Sequence, residues 1–591
     1  MTSSHANRLI GVASLAVMVL AVGSAMAQPM PLTPPPAAEE GHAPAAHPVK
    51  VLTSPKLQDG PPAEFPTAET ALPKGPSGHF EVEELKAPDL EAVGVLDDKQ
   101  GGLGVGMWRG TQTAVVRRFL PQLPAANGSR VARGLARRLL LTAAAAPDNI
   151  RDGGAPLLEL RAERLFAMGE IEGLASLLKA APAALTSPGL ARLKMDTYLL
   201  AGDTKAACGE FSLIPGSIDT KMQIFCNLVA GKVLEANLAL DLMRDRKDAD
   251  HAFVVAAEAM AGTPPAKIDR LPNITPLHLA AFRAAKMALP ADIAQSGHPA
   301  LLRVMADSPA LPLEVRLTAA EKAEMLGAME TDALRRMISA VTFTAAEQQA
   351  AANDKGPRGR ALVFKTALAE QQPVARVNLI AHALTSAGDP QGFANVARLY
   401  APLISEIKPS PELAPFAVMA ARALYAAARP EAAGGWLALA KSDPATAKAA
   451  DEMWPLTRLT RSGGEEMGST LLYAALRPAS DHAERRSLVA LDLLQAVGEK
   501  VPAAEWLATL QGPAVAAATT PKPQIKVLQR NAAEALRVGE TVLLTLISLG
   551  DTGLDKTDPE TLNRAVQYLR LAGFDREARE LAVEAALANG L

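Results

Sequence analysis

The chain has 591 residues, with 60 Lys and Arg against 63 Asp and Glu, a formal net charge of −3, and 49% apolar but only 4% aromatic residues. That length exceeds one ordinary hydrophobic core, so the chain is either several domains or a repeat array. The apolar content excludes disorder throughout, and the balanced charge gives no overall pull toward nucleic acid, which is not an expected partner.

The first element is an address. Arg8 supplies a positive start, Leu9 to Val22 carries no charge, and Ala25-Met26-Ala27 is a small-x-small cleavage site before Gln28. Residues 1–27 therefore read as a secretory signal peptide. The apolar run is short for a stable span, and no later uncharged run reaches the roughly 18 residues a span requires. No Cys follows the cleavage site, so no lipid anchor is indicated, and the mature chain is not expected to be transmembrane. The Ala-, Arg- and Pro-rich usage suggests a high-GC bacterium, which makes the expected destination the periplasm.

Residues 28–78 are crowded with proline, including Pro34-Pro35-Pro36, Pro61-Pro62 and Pro73. Each proline fixes φ and removes a donor, so this stretch reads as an extended, disordered linker. His42 and His47 fall within it without further ligands nearby and read as solvated residues. The lead-in at 79–110 differs in character. Phe80 to Leu85 alternates briefly, and a glycine-rich loop with Gly102, Gly104 and Gly106 then leads to Trp108 and Arg109. A glycine-rich loop cradles phosphate when it joins a buried strand to a helix. Asp97-Asp98-Lys99-Gln100 is no such strand and no Gly-Lys-Ser/Thr follows, so the expectation is a flexible loop that lays Trp108 against the first helix pair. No cofactor is expected.

From 111 to 591 the text is helix upon helix, as its Ala and Leu content favours. One phrase recurs: a helix, a Gly, then a helix opening on a polar residue. It runs through Met168-Gly169-Glu170, Ala201-Gly202-Asp203, Ala230-Gly231-Lys232 and Gly262, with the glycines 33, 29 and 31 residues apart. It returns at Gly388-Asp389 and Gly573-Phe574, with looser turns at 427–431 and 496–500. Gly takes the left-handed position that ends one helix, and small Ala residues let the next approach. This phrase resembles the helical hairpin of tetratricopeptide-like α-solenoids. The resemblance covers roughly 110–591 and is strongest over 157–262. It implies an all-α superhelix of irregular hairpins, although no unit carries the family's full consensus and the period drifts. Loops at 356–359 and 510–523 are expected to separate blocks of the array.

Chemistry-bearing patterns are sparse. The two cysteines, Cys208 and Cys226, fall in successive hairpins and are expected to form a structural disulfide in an oxidising compartment. The nine histidines are scattered, without a metal-ligand spacing, and no nucleophile signature is present. The Gly-Leu-Met-Gln core found in periplasmic muramidases with an α-superhelix is also absent. The expectation is therefore no enzyme, with an unrecognised site beside the glycine-rich loop as the remaining catalytic alternative.

One charge asymmetry remains. Between Lys99 and Pro147 there is no acidic residue, while Arg109, Arg117, Arg118, Arg130, Arg133, Arg137 and Arg138 are all basic. Arg130, Arg133 and Arg137 share a helix face, leaving Val131, Leu135 and Leu139 to pack inward. This face is either a docking patch for an anionic partner, whether an acidic protein, anionic glycan or lipid headgroups, or is neutralised inside the chain by Glu159, Glu163, Glu170 and Glu172. The expected function is a periplasmic interaction scaffold binding an envelope protein. A peptidoglycan-associated structural factor and a flagellar-stator accessory are the alternatives.

Overall fold

The first helices of several hairpins end where the backbone turns left-handed. Gly169, Gly202, Gly231 and Gly262 all have positive φ, from 76° to 103°, as do Gly388 and Gly573. At Gly202 the closing bonds are explicit: Gly202 N–H donates to the Leu199 carbonyl (3.1 Å) and Asp203 N–H to that of Tyr198 (2.9 Å). This pairing satisfies carbonyls that a helix end would otherwise leave open. Asp203 then caps the next helix, its carboxylate accepting from Ala206 N–H (2.9 Å). The same pair of bonds closes the helices before Gly169, Gly231, Gly262 and Gly573.

The computed structural model describes residues 91–149, 155–181, 187–214, 219–244, 250–295, 297–346, 355–461, 483–510 and 518–591. The expected signal peptide, the Pro-rich linker with His42 and His47, the alternation at Phe80 to Leu85 and the Pro215-Gly216 turn lie outside these residues. Among the described residues the structure is all-α, with no strands and three isolated bridges. Helices pack in neighbouring pairs, as in an α-solenoid. Examples are Pro188–Ala201 with Thr204–Ser212, Thr220–Val229 with Val233–Arg244, Ala414–Ala426 with Pro430–Ser442, and Pro559–Leu571 with Asp575–Ala588.

The array also folds back on itself. Pro276–Ala284 packs on Pro188–Ala201, and Pro299–Asp307 on Leu157–Met168. The Arg130–Leu141 helix packs against Val538–Leu549 and against Asp575–Ala588, the last helix. Its apolar face is fully enclosed, with Val131, Leu135, Leu139 and Leu140 at most 4% exposed.

One expectation requires correction. Gly356 to Gly359 is not a separating loop, because Pro357 opens the helix Pro357–Ala369. Proline suits a first helical turn, where its missing N–H is not needed. Of the second expected break, residues 511–517 lie outside the description, residues 518–522 are non-helical, and Pro523 opens the helix Pro523–Glu534. Where a side chain replaces glycine, the hairpin turn at 427–431 was expected, while those at Lys286 and Leu536 had no signal in the sequence. Lys286, Ala428 and Leu536 hold φ of 53–54° and close their helices with the same two bonds. At Ala428 these are Ala428 N–H to Tyr425 (3.0 Å) and Arg429 N–H to Leu424 (2.8 Å).

Cys208, on Thr204–Ser212, and Cys226, on Thr220–Val229, form a disulfide. It ties the second helix of one hairpin to the first helix of the next.

Two outcomes follow from this architecture. Cys208→Ser with Cys226→Ser, compared with the oxidised parent by urea denaturation, lowers the unfolding free energy by about 3 kcal/mol, since the crosslink restricts the unfolded chain; equal midpoints would contradict this. Ala428→Gly raises it by about 1 kcal/mol by removing left-handed strain, and an unchanged or lowered urea midpoint would refute that account.

Candidate functional site

The arginine-rich face becomes an internal seam in the structure. Ser129 caps the Arg130–Leu141 helix, accepting from Ala132 N–H (3.1 Å), and donates its hydroxyl to Glu584 (2.5 Å). Arg130 pairs with Glu580 (2.7 Å) and Glu584 (3.7 Å). Burial alone would lower the Arg130 guanidinium, but Glu584 and Glu580 beside it hold it above its ordinary value. Arg138 donates to Glu577 (2.7 Å) and to the Gly101 carbonyl (2.6 Å), and lies over the Phe574 ring at 5.4 Å. Arg137 pairs with Glu170 (3.1 Å). Arg133 donates to the carbonyls of Asn127 (2.7 Å), Gly128 (3.2 Å) and Met325 (3.3 Å).

These four arginines therefore have partners within the chain. Of the acids expected to neutralise them, Glu170 does so; the remaining counter-charges are Glu577, Glu580 and Glu584, more than 430 residues away in sequence. Arg117 is half-buried with its Nε unbonded, and Arg118 is exposed in the last turn of the helix Thr113–Phe119. Neither joins the seam.

The glycine-rich loop is strapped down. Leu103 N–H donates to Thr142 Oγ1 (3.0 Å), and Ala145 N–H to the Val105 carbonyl (2.8 Å). Gly104 is left-handed at φ 94°, and a Cβ on Gly102 would sit 2.8 Å from the Asp97 carbonyl oxygen, so both positions require glycine; Gly106 meets only the Arg109 side chain. Trp108 is 5% exposed and packs against Gly539, whose N–H donates to the Met107 carbonyl (2.8 Å). The exposed Arg109 lines a surface recess with Gly106, Gly110 and Ala535 to Val538. Its ionisable groups are Arg109 and Arg537, and Arg537 already pairs with Glu540 (3.0 Å). The recess holds no acid–base pair and no nucleophile.

Two polar clusters had no clear signal in the sequence. Arg161 is fully enclosed and donates to the carbonyls of Leu140 (2.7 Å), Val93 (2.5 Å) and Thr142 (3.0 Å). Burial pushes it down to about 10, and its role is to staple the lead-in to the first helices. The second cluster has the order of a hydroxyl–imidazole–carboxylate relay: Thr275 Oγ1 lies 2.8 Å from His278 Nδ1, and His278 Nε2 lies 2.9 Å from Asp250 Oδ2. Each member has a structural task. Thr275 caps its helix through His278 N–H, and Asp250 caps another through Phe253 N–H while pairing with Lys221 (2.6 Å). The hydrogen bond from His278 holds the Asp250 carboxyl well below its usual range. The cluster latches two helix starts together, with His278 standing where a capping box ordinarily carries Glu or Gln. Among the described residues no group of three or more His, Cys, Asp or Glu could hold a metal, and no helix is long and apolar enough to cross a membrane.

One surface feature does not pack inward. On Val233–Arg244, Ala236, Leu240 and Met243 are buried, while Leu234, Leu238 and Leu242 are 84%, 66% and 66% exposed. Four-residue spacing places these leucines in one row along the helix. Single exposed leucines are ordinary, but a continuous row is the mark of a contact surface. Lys232, Glu235, Asp241 and Arg244 flank the row, all exposed.

Compared with family models, with curated proteins and with solved structures, the chain finds no match in any of the three.

The seam yields a test. Arg138→Glu destabilises the chain, and adding Glu577→Arg restores about 1 kcal/mol through the reversed pair, a coupling expected for a half-buried ion pair. Denaturant melts of both single variants and the double variant measure it; strictly additive effects would show that the pair does not couple.

Proposed function

We propose that the protein is an exported, periplasmic, non-catalytic scaffold. It presents tetratricopeptide-like helical hairpins and holds an envelope protein through the leucine row of Val233–Arg244. The observation that carries this reading is the row itself, Leu234, Leu238 and Leu242, on a helix whose opposite face is already satisfied by the core. Three aligned leucines flanked by both signs of charge suit the apolar face of an amphipathic helix, a common mode of groove and surface recognition. Full burial of each leucine adds about 2 kcal/mol of favourable transfer free energy. The cell-wall alternative drew on the arginine face as a glycan contact, and that face is engaged within the chain.

The test is in-cell photo-crosslinking from position 238, with mass spectrometry of the captured protein. The scaffold reading expects one reproducible envelope partner, lost when Leu234, Leu238 and Leu242 are changed together to Ser. Because the three side chains are exposed, the melting temperature of that variant stays at the parent's. Absence of a reproducible crosslink, or a crosslink indifferent to the triple change, would overturn the assignment of this face.

A further inference from the structure

Where the two ends of the array meet, the seam leaves a cavity of about 290 Å³. It opens between Ser129 at the head of the arginine helix, the turn around Gly388, the Ala414–Ala426 helix, the loop at Leu554 and the last turns of Asp575–Ala588. Its volume lies near the lower edge of ordinary small-molecule sites. Its walls are mixed. Leu384, Phe393, Ala426, Leu554 and Leu587 supply apolar surface, and two arginines and three acids supply charge.

Most of that charge is already matched. Glu584 is held by Ser129 and Arg130. Arg398 donates to Glu324 (3.1 Å) and to Asn395 (2.5 Å). Asp389 is exposed and caps its own helix through Gly392 N–H (2.7 Å). Asp555 is exposed at the rim, where its charge acts on Arg485.

Arg422 is different. Its guanidinium lies over the Phe393 ring at 5.4 Å, and its buried Nε has no hydrogen-bond partner. Among the described residues no carboxylate pairs with it. The nearest influence is another cation, Arg486, which is itself paired with Glu452 (2.9 Å). A half-buried guanidinium without a counter-charge is costly, and an anion bound in the cavity would relieve that cost.

We propose that this cavity binds a small monocarboxylate with an aliphatic or aromatic body, its carboxylate on Arg422 and its body against Phe393, Leu384 and Leu587. The single unmatched cation fits one negative charge, and an arginine fork suits a carboxylate. Asp389 and Asp555 at the rim disfavour polyanions such as phosphates. The site is distinct from the leucine row and does not rest on the scaffold reading.

Isothermal titration of the full mature chain tests it, with phenylacetate and 4-methylpentanoate as probes, phenylethanol as the neutral counterpart and phenyl phosphate as the dianion. Saturable binding of at least one carboxylate is expected, on the order of tenfold tighter than phenylethanol, as a charge-assisted pair confers. Arg422→Gln removes that preference while Arg422→Lys keeps part of it, and Ala394→Phe, which fills the cavity from a second helix, blocks binding with Arg422 intact. No saturable binding of either carboxylate, binding no tighter than that of phenylethanol, tighter binding of the dianion, or affinity unchanged in Arg422→Gln would each overturn the proposal.

Discussion

A helical hairpin is apolar on more than one face, so it is stable only when something covers the face its own partner leaves open. In an open solenoid that cover is the next repeat, and the two end repeats carry polar caps. Here the first long helix, Arg130–Leu141, is capped by the end of the same chain. Its apolar residues, Leu135 and Leu139 among them, are buried, and Val538–Leu549 and Asp575–Ala588 pack on the helix together with Leu157–Met168. The burial supplies the stability, while the ion pairs of Arg130 and Arg138 with Glu577, Glu580 and Glu584 set the register. Half-exposed pairs of this kind are individually worth at most about 1 kcal/mol, yet a one-turn slip would set several like charges against one another. The cavity and the seated Trp108 both depend on this closure.

Legibility followed the range of the interactions. The hairpin turns at Gly169, Gly202, Gly231 and Gly262 were readable because a left-handed residue favours glycine and the phrase is local. The disulfide was readable because two cysteines in successive hairpins leave one pairing. Lys286, Ala428 and Leu536 adopt the same backbone without the residue that announces it, because the packing of the following helix overrides the local preference. Pro357 was read as a loop when it begins a helix, the usual ambiguity of a Gly-Pro pair.

The candidate sites were less legible for a related reason. An arginine stripe at i, i+3, i+7 shows which residues share a face, but it does not show what that face meets. The carboxylates of Glu577, Glu580 and Glu584 lie on a helix that reads as an ordinary amphipathic terminus. Arg161 similarly resembles any helical arginine until its three carbonyl partners come together around it. The leucine row, by contrast, is local and could have been found: Leu234, Leu238 and Leu242 alternate with the core positions Ala236 and Leu240, giving the helix two apolar faces where one suffices.

The clasp between Arg138 and Glu577 joins residues 439 apart in sequence. A chain emerging from its N-terminus at 5–20 residues per second presents its arginine helix roughly twenty to ninety seconds before the helix that covers it exists. Throughout that interval the part of the arginine helix's surface that meets Val538–Leu549 and Asp575–Ala588 is uncovered, although Leu157–Met168 packs on it from nearby in sequence. Maturation of this fold is therefore a problem of timing, in which part of the surface of the arginine helix must be kept from other partners until distant segments of the chain arrive to cover it.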